Sequence, residues 1–161
     1  ADRVGRAEES GLGGCAAVLD LDHSQKLWNW IAEVVPILAP ESREVVWRLS
    51  VPPAAGAALL YDAVAGVGAR GFIDWGGGLV WLAVPAEAGD DGGATALRAL
   101  VARHGGGHAT LMRGPEPLRR RVPVFEPEPP GLAALSERVR QGFDPLRLLN
   151  PGRMRGEETR P

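Results

Sequence analysis

Glu44-Val45-Val46-Trp47-Arg48-Leu49-Ser50-Val51-Pro52-Pro53 is the stretch on which the fold turns. Val45, Trp47, Leu49 and Val51 fall on one side of a two-residue period and Val46, Arg48 and Ser50 on the other, the pattern of a β-strand. The two prolines end the strand and suit the first turn of a helix, where backbone amides have no intrahelical acceptor. An Ala-rich run to Ala65 then keeps Ala57, Leu60 and Val64 in helical register until Gly66 and Gly68 stop it.

Downstream, two short apolar runs, Gly71 to Trp75 and Leu79 to Val84, are joined by Gly76, Gly77 and Gly78, which can take the positive φ angles of a tight turn. They predict a β-hairpin. Asp90-Asp91-Gly92-Gly93 can cap a helix over Thr95 to His104 with Leu97, Leu100, Val101 and His104 on one side, and Gly105 to Gly107 end it. His108 to Met112 makes a fourth strand. Strand, helix, strand, strand, helix, strand is the ferredoxin-like βαββαβ order, an α+β fold with an antiparallel sheet and both helices on one face. The opposite face is left to be covered by the first helix, the C-terminal helix, a partner or another domain.

Upstream, Asp22 is placed to cap a helix over His23 to Val35 with a Leu27, Ile31, Val34 stripe. Past the last strand, residues 113–130 hold Pro115, Pro117, Pro123, Pro127, Pro129 and Pro130, which predicts an extended strap without helix. A C-terminal helix over Leu132 to Gly142 puts Leu132, Leu135, Val139 and Phe143 on one face, and this face is expected to dock on the uncovered sheet. Asp144-Pro145 ends it, followed by a hydrophobic turn through Leu148-Leu149-Asn150-Pro151-Gly152, so that residues 131–154 form a helix-and-turn tail. The whole chain, 1–161, is expected to be a single domain.

With a formal net charge of −2 the chain has no global basic field to attract nucleic acid. Cys15 is the only cysteine, so neither an internal disulfide nor a cysteine-based zinc site can form, as suits a reducing cytoplasm. Glu33 and Asp62 interrupt the longest apolar runs, which excludes a membrane span. The chain lacks a signal-peptide pattern and starts at Ala1 in a charged stretch, which reads as a cloned or processed start.

Gly66, Gly68 and Gly71 spell Gly-x-Gly-x-x-Gly, but they follow a helix and precede a strand, so they are read as a helix stop and turn rather than a dinucleotide site. Neither Gly76 to Gly78 nor Gly105 to Gly107 has the Lys and Ser/Thr of a phosphate loop. His23, His104 and His108 make no metal-binding pair with a carboxylate at helical spacing, so no metal is expected. His108, at a strand start beside a glycine turn, is a candidate site residue. Trp47, Trp75 and Trp81 could form a stacking platform, yet Leu79 to Val84 carries no charge, against the basic third strand of an RNA-recognition module. Arg119, Arg120 and Arg121 form a basic cluster in the strap, read as a solvated loop or as a clamp on an anionic cofactor.

Three stretches together carry a family resemblance. Phe143-Asp144-Pro145, then Asn150-Pro151-Gly152-Arg153-Met154 directly after an amphipathic helix, resembles the C-terminal signature of FAD-linked oxidases of the vanillyl-alcohol oxidase type. Trp47-Arg48-Leu49-Ser50-Val51-Pro52-Pro53 and Gly106-Gly107-His108-Ala109-Thr110-Leu111 resemble the FAD-binding E-type subunit of bacterial glycolate oxidase, as does Ile73-Asp74-Trp75-Gly76-Gly77. The likeness runs from about residue 25 to 154. It implies a parent roughly twice this length whose N-terminal domain, absent here, holds the FAD. This chain would then be the cap, or substrate, domain of a flavin-dependent 2-hydroxy-acid oxidoreductase that turns glycolate into glyoxylate.

On that likeness Asn150, Pro151, Gly152 and Arg153 lie near the flavin, and Arg48, His108 and Arg113 face the substrate carboxylate, a role suited to arginine. The implied partners are the FAD-binding domain of the same parent chain, a sister flavin subunit and an iron-sulfur subunit. The implied location is the cytoplasm, peripheral to the inner membrane through those subunits. The His-x-Gly-Asp-Gly-Asn stretch and Glu-His pair of related D-2-hydroxy-acid dehydrogenases are missing, which leaves open a role in assembly or electron transfer in place of chemistry. The alternative from a different class is a free-standing ferredoxin-like ligand-binding or regulatory module that dimerises through its sheet.

Overall fold

The computed structural model describes residues 18–38, 43–86 and 89–150. The chain divides into two compact units, Ala1–Pro36 and Ile37–Pro161. In the first, helix α1 (Leu21–Ala32) is capped by Asp20, whose carboxylate accepts the His23 amide at 2.8 Å. The cap is therefore two residues earlier than the expected Asp22, which lies inside the first turn. The end is a Schellman arrangement: Val34 N–H donates to Ile31 O and Val35 N–H to Trp30 O, with Val34 at φ 58°.

The second unit carries β1 (Val45–Ser50), α2 (Gly56–Val67, entered through a 3-10 turn at Pro53–Ala55), β2 (Arg70–Asp74), β3 (Leu79–Val84), α3 (Ala94–Arg103) and β4 (His108–Arg113). The four strands form one antiparallel sheet in the order β2-β3-β1-β4, which is the ferredoxin-like topology and an α+β fold as the sequence predicts. One face is core. Val45, Trp47, Leu49, Val80, Leu82, Val84, Ala109 and Leu111 pack with Leu59 and Ala63 of α2 and Leu97, Leu100 and Val101 of α3. Each fully buried leucine or valine there contributes about 1.5–3 kcal/mol over its exposed state. Trp47 is completely buried, and its indole N–H donates to Gly92 O at 2.9 Å, which satisfies the one polar atom this side chain brings into the core.

Helix α2 buries Gly56, Leu59 and Ala63, one position round from the expected Ala57, Leu60, Val64 stripe. Both stripes are apolar, so periodicity cannot choose between them. A close backbone approach does. A Cβ on Gly56 would run into the Gly77 carbonyl oxygen at the β2–β3 tip, so the helix sits with its glycine against the hairpin.

Residues 113–130 do not form the helix-free strap that six prolines predict. Helix α4 (Glu116–Arg121) begins there with Pro115 at its N-cap and Pro117 in its first turn, and Pro130 opens α5 (Pro130–Phe143). First-turn amides have no intrahelical acceptor, so these prolines start helices instead of excluding them. Leu118 of α4 and the following Val122 are buried in the core. The extended part is shorter, and it covers the free edge of β4: Leu111 N–H donates to Val124 O at 2.8 Å and Ala109 N–H to the Glu126 carboxylate at 3.0 Å. Arg98 of α3 clamps it, donating to Pro123 O and Phe125 O while its guanidinium lies 5.7 Å from the Trp47 ring centroid.

The apolar stripe of α5 does not dock on the sheet as expected. Leu132, Leu135, Val139 and Phe143 remain 47–86% exposed, and α5 buries no residue. Amphipathicity marks a face in need of a partner without saying which partner it meets.

Candidate functional site

Two features of the second unit can meet a ligand or partner: the sheet face opposite the helices, and the turn after α5. On the sheet face the strand register sets Phe72, Trp81, Arg48 and Thr110 in one cross-strand row and Asp74, Leu79, Ser50 and His108 in the next. Val46, Leu79 and Ala83 on this face are buried, whereas Arg48, Ser50, Phe72, Trp81 and Thr110 are half-buried and His108 is exposed.

The three substrate-side candidates all lie on β1 and β4. Arg48 and His108 are diagonal neighbours across the strand pair. Arg113 is not with them: a register shift between Val46 and Trp47 pairs it with Val46, at the far end of β4. Five strand steps separate it from His108, about 17 Å along the sheet, too far for one small carboxylate to bridge. Arg113 is thereby dropped from a common site with His108.

Arg48 has a partner that its place in the sequence does not reveal. Its guanidinium lies 5.4 Å from the centroid of the Trp75 ring. Trp75, 66% exposed, occupies the β2–β3 tip at φ 52°, a left-handed conformation that costs a non-glycine residue energy. Ser50 joins the constellation through its place in the His108 row. The two-residue period already puts Ser50 on the Arg48 face, so it was legible in the sequence, whereas Trp75 was not.

In the tail, Asp144 organises the turn. It is 9% exposed, and its two carboxylate oxygens accept the amides of Leu149 and Leu148, each at 2.9 Å. These two bonds, with the nearby Arg140 charge, hold its carboxyl below the ordinary 3.8. The turn so fixed leaves Phe143, Leu146, Leu148 and Leu149 exposed by 67–86%. Asn150 follows at φ 46°. Pro151, Gly152 and Arg153, the other cofactor-side expectations, lie outside the described residues.

The glycine-rich turn from β3 into α3 tests whether the described residues could hold the phosphates of a dinucleotide such as FAD. Gly92 and Gly93 have φ of 60° and 84°, but the Asp91 carboxylate already accepts Gly93 N–H and Thr95 N–H at 3.0 and 2.8 Å. Burial pushes the Asp91 carboxyl up, and the bonds from Thr95 and Gly93 outweigh it, so it stays ionised where a phosphate would need to sit. The Asp91 carboxylate thus takes up the amides that a phosphate would need at this turn.

Elsewhere, Asp62 of α2 accepts from Arg103 and pairs with His104, each at 2.8 Å, and these contacts lower its pKa. They tie α2 to α3. Of the strap arginines, Arg120 pairs with Glu116 and Arg121 donates to Asp90 O. Among the described residues no cluster of three or more His, Cys, Asp or Glu could hold a metal ion, and no helix is long and apolar enough to cross a membrane. No family model, curated protein or solved structure matches the chain.

Proposed function

We propose that this chain is the cap domain of a flavin-dependent 2-hydroxy-acid oxidoreductase subunit, the E-type subunit of a glycolate oxidase, and that it covers FAD held by another domain. The observation that carries the reading is the tail: Phe143, Leu146, Leu148 and Leu149 stand exposed on a turn fixed by Asp144. Four large apolar side chains exposed on a hydrogen-bonded turn suit a protein–protein contact. It falls in the segment whose sequence resembles the flavin-side signature of this family. FAD, where bound, supplies the two-electron acceptor for the α-carbon hydride of a hydroxy acid. The chain's own contribution is to exclude water with the apolar turn, to set Asn150 on the flavin side, and to turn Arg48 and His108 towards the substrate carboxylate.

The sister flavin subunit and the iron-sulfur subunit would take up the remaining surfaces and the electrons, in a cytoplasmic complex peripheral to the inner membrane. The alternative, a free module dimerising through its sheet, is weakened because Val46, Leu79 and Ala83 are already buried in the single chain.

Co-expression with the FAD-binding domain of a glycolate oxidase E-type subunit tests the reading. The two should co-elute and reduce a dye with glycolate, and a Leu148→Ser, Leu149→Ser double variant should lose both properties. Stoichiometric FAD binding with glycolate-dependent dye reduction by the chain alone would sink the proposal, as would the absence of any association.

A further inference from the structure

Three polar groups on the tip end of the sheet face lack hydrogen-bonding partners among the described residues. The Arg48 guanidinium, the Ser50 hydroxyl and the His108 ring form no side-chain hydrogen bond or ion pair with any described residue, although the register brings all three side by side. Two other arginines of this unit are committed to hydrogen bonds: Arg70 binds both Glu44 oxygens and Ile37 O, and Arg98 binds two strap carbonyls. Among the described residues, Arg48 has the Trp75 ring as its partner. An indole against the guanidinium leaves the N–H edges available, and those edges are what a planar carboxylate binds in bidentate fashion.

The surroundings hold Trp75 where it is despite its backbone strain. The Asp74 carboxylate accepts the Trp75 amide at 2.7 Å. Gly78 N–H closes the turn on Trp75 O, and Val51 N–H donates to Gly78 O at 3.0 Å. Gly77 packs so closely on Pro53 that a Cβ would meet the Pro53 carbonyl oxygen. A costly conformation kept this firmly, beneath an exposed ring whose charged neighbour has no hydrogen-bonding partner among the described residues, is a mounting for that neighbour.

We propose that Trp75 is a positioning residue that pre-orients the Arg48 guanidinium to receive a small carboxylate, with Ser50 and His108 completing the site. The assignment rests on the reading of this sheet face as the substrate side, and it adds Trp75 and Ser50 while leaving out Arg113.

The test is a titration of the isotope-labelled whole chain with sodium glycolate, followed at the Arg48 side-chain N–H and the Trp75 indole N–H, against sodium chloride and sodium sulfate at matched ionic strength. Saturable shifts specific to glycolate are expected, and they should vanish in Arg48→Gln. Trp75→Leu should raise the Kd about threefold and Trp75→Phe should restore most of the affinity, with the remaining amide spectrum unchanged in both. Equal response to the inorganic salts, or a Trp75→Leu chain that binds like the parent, overturns the proposal. Loss of glycolate binding with flavin-domain association intact refutes this site alone, and the reverse result refutes the proposed function while leaving the site standing.

Discussion

Trp75 and Asp144 show how much can turn on one residue. At φ 52°, Trp75 lies in the region where only glycine is free of Cβ strain. Replacing it with alanine removes the Arg48 contact and keeps the strain, whereas glycine removes both. Trp75→Gly should therefore be more stable than Trp75→Ala by about 1 kcal/mol, the reverse of the usual order, as read from urea unfolding midpoints. Asp144 was visible in the sequence only as a helix terminator before Pro145. The structure gives it a second task, as acceptor for Leu148 and Leu149, because the chain turns back over it.

Two contrasts test the packing of the elements. Gly56 and Gly66 both lie in α2, where replacement by alanine ordinarily stabilises a helix. Gly66 has open space around it, so Gly66→Ala should stabilise by about 0.5 kcal/mol. Gly56→Ala should instead destabilise by about 2 kcal/mol, since its Cβ would collide with rigid backbone at Gly77. Thermal unfolding of the two variants reads the opposite signs. The strap is a second such case. Arg98→Ala strips the bonds to Pro123 and Phe125 and the 3.5 Å ion pair with Glu126, at a cost of about 3 kcal/mol. Faster amide exchange at Leu111, which donates to Val124, should accompany it. The sequence exposed the prolines of this strap but not the clamp, because Arg98 and Phe125 meet only once α3 and β4 lie side by side.

At the scale of the whole molecule, acid should find its weak points in three aspartates. Asp62, Asp91 and Asp144 all have pKa values lowered from the ordinary 3.8 by bonds made only in the folded chain. A group whose folded pKa is depressed stabilises the fold above its unfolded value, and that contribution fades as pH falls through the folded one. The melting temperature should therefore be insensitive to these groups near neutrality and drop steeply once pH falls below 3.8. Asp62→Asn should flatten part of that drop, because the variant no longer has this proton to take up. A Tm that stays level through that range would contradict the assignment of these bonds.

Strand alternation around Trp47, the glycine stops and the helix–strand order settled the ferredoxin-like fold in advance, because periodicity and backbone freedom are local properties of the chain. The same period put Arg48 and Ser50 on one face. The tertiary structure alone decided the rest: which of two apolar stripes α2 buries, that Arg113 stands apart from His108, that the stripe of α5 stays exposed, and that Trp75 backs Arg48. Each of these depends on a distance between segments far apart in sequence, set by a bulge, a glycine contact or a turn, and no local pattern encodes such a distance.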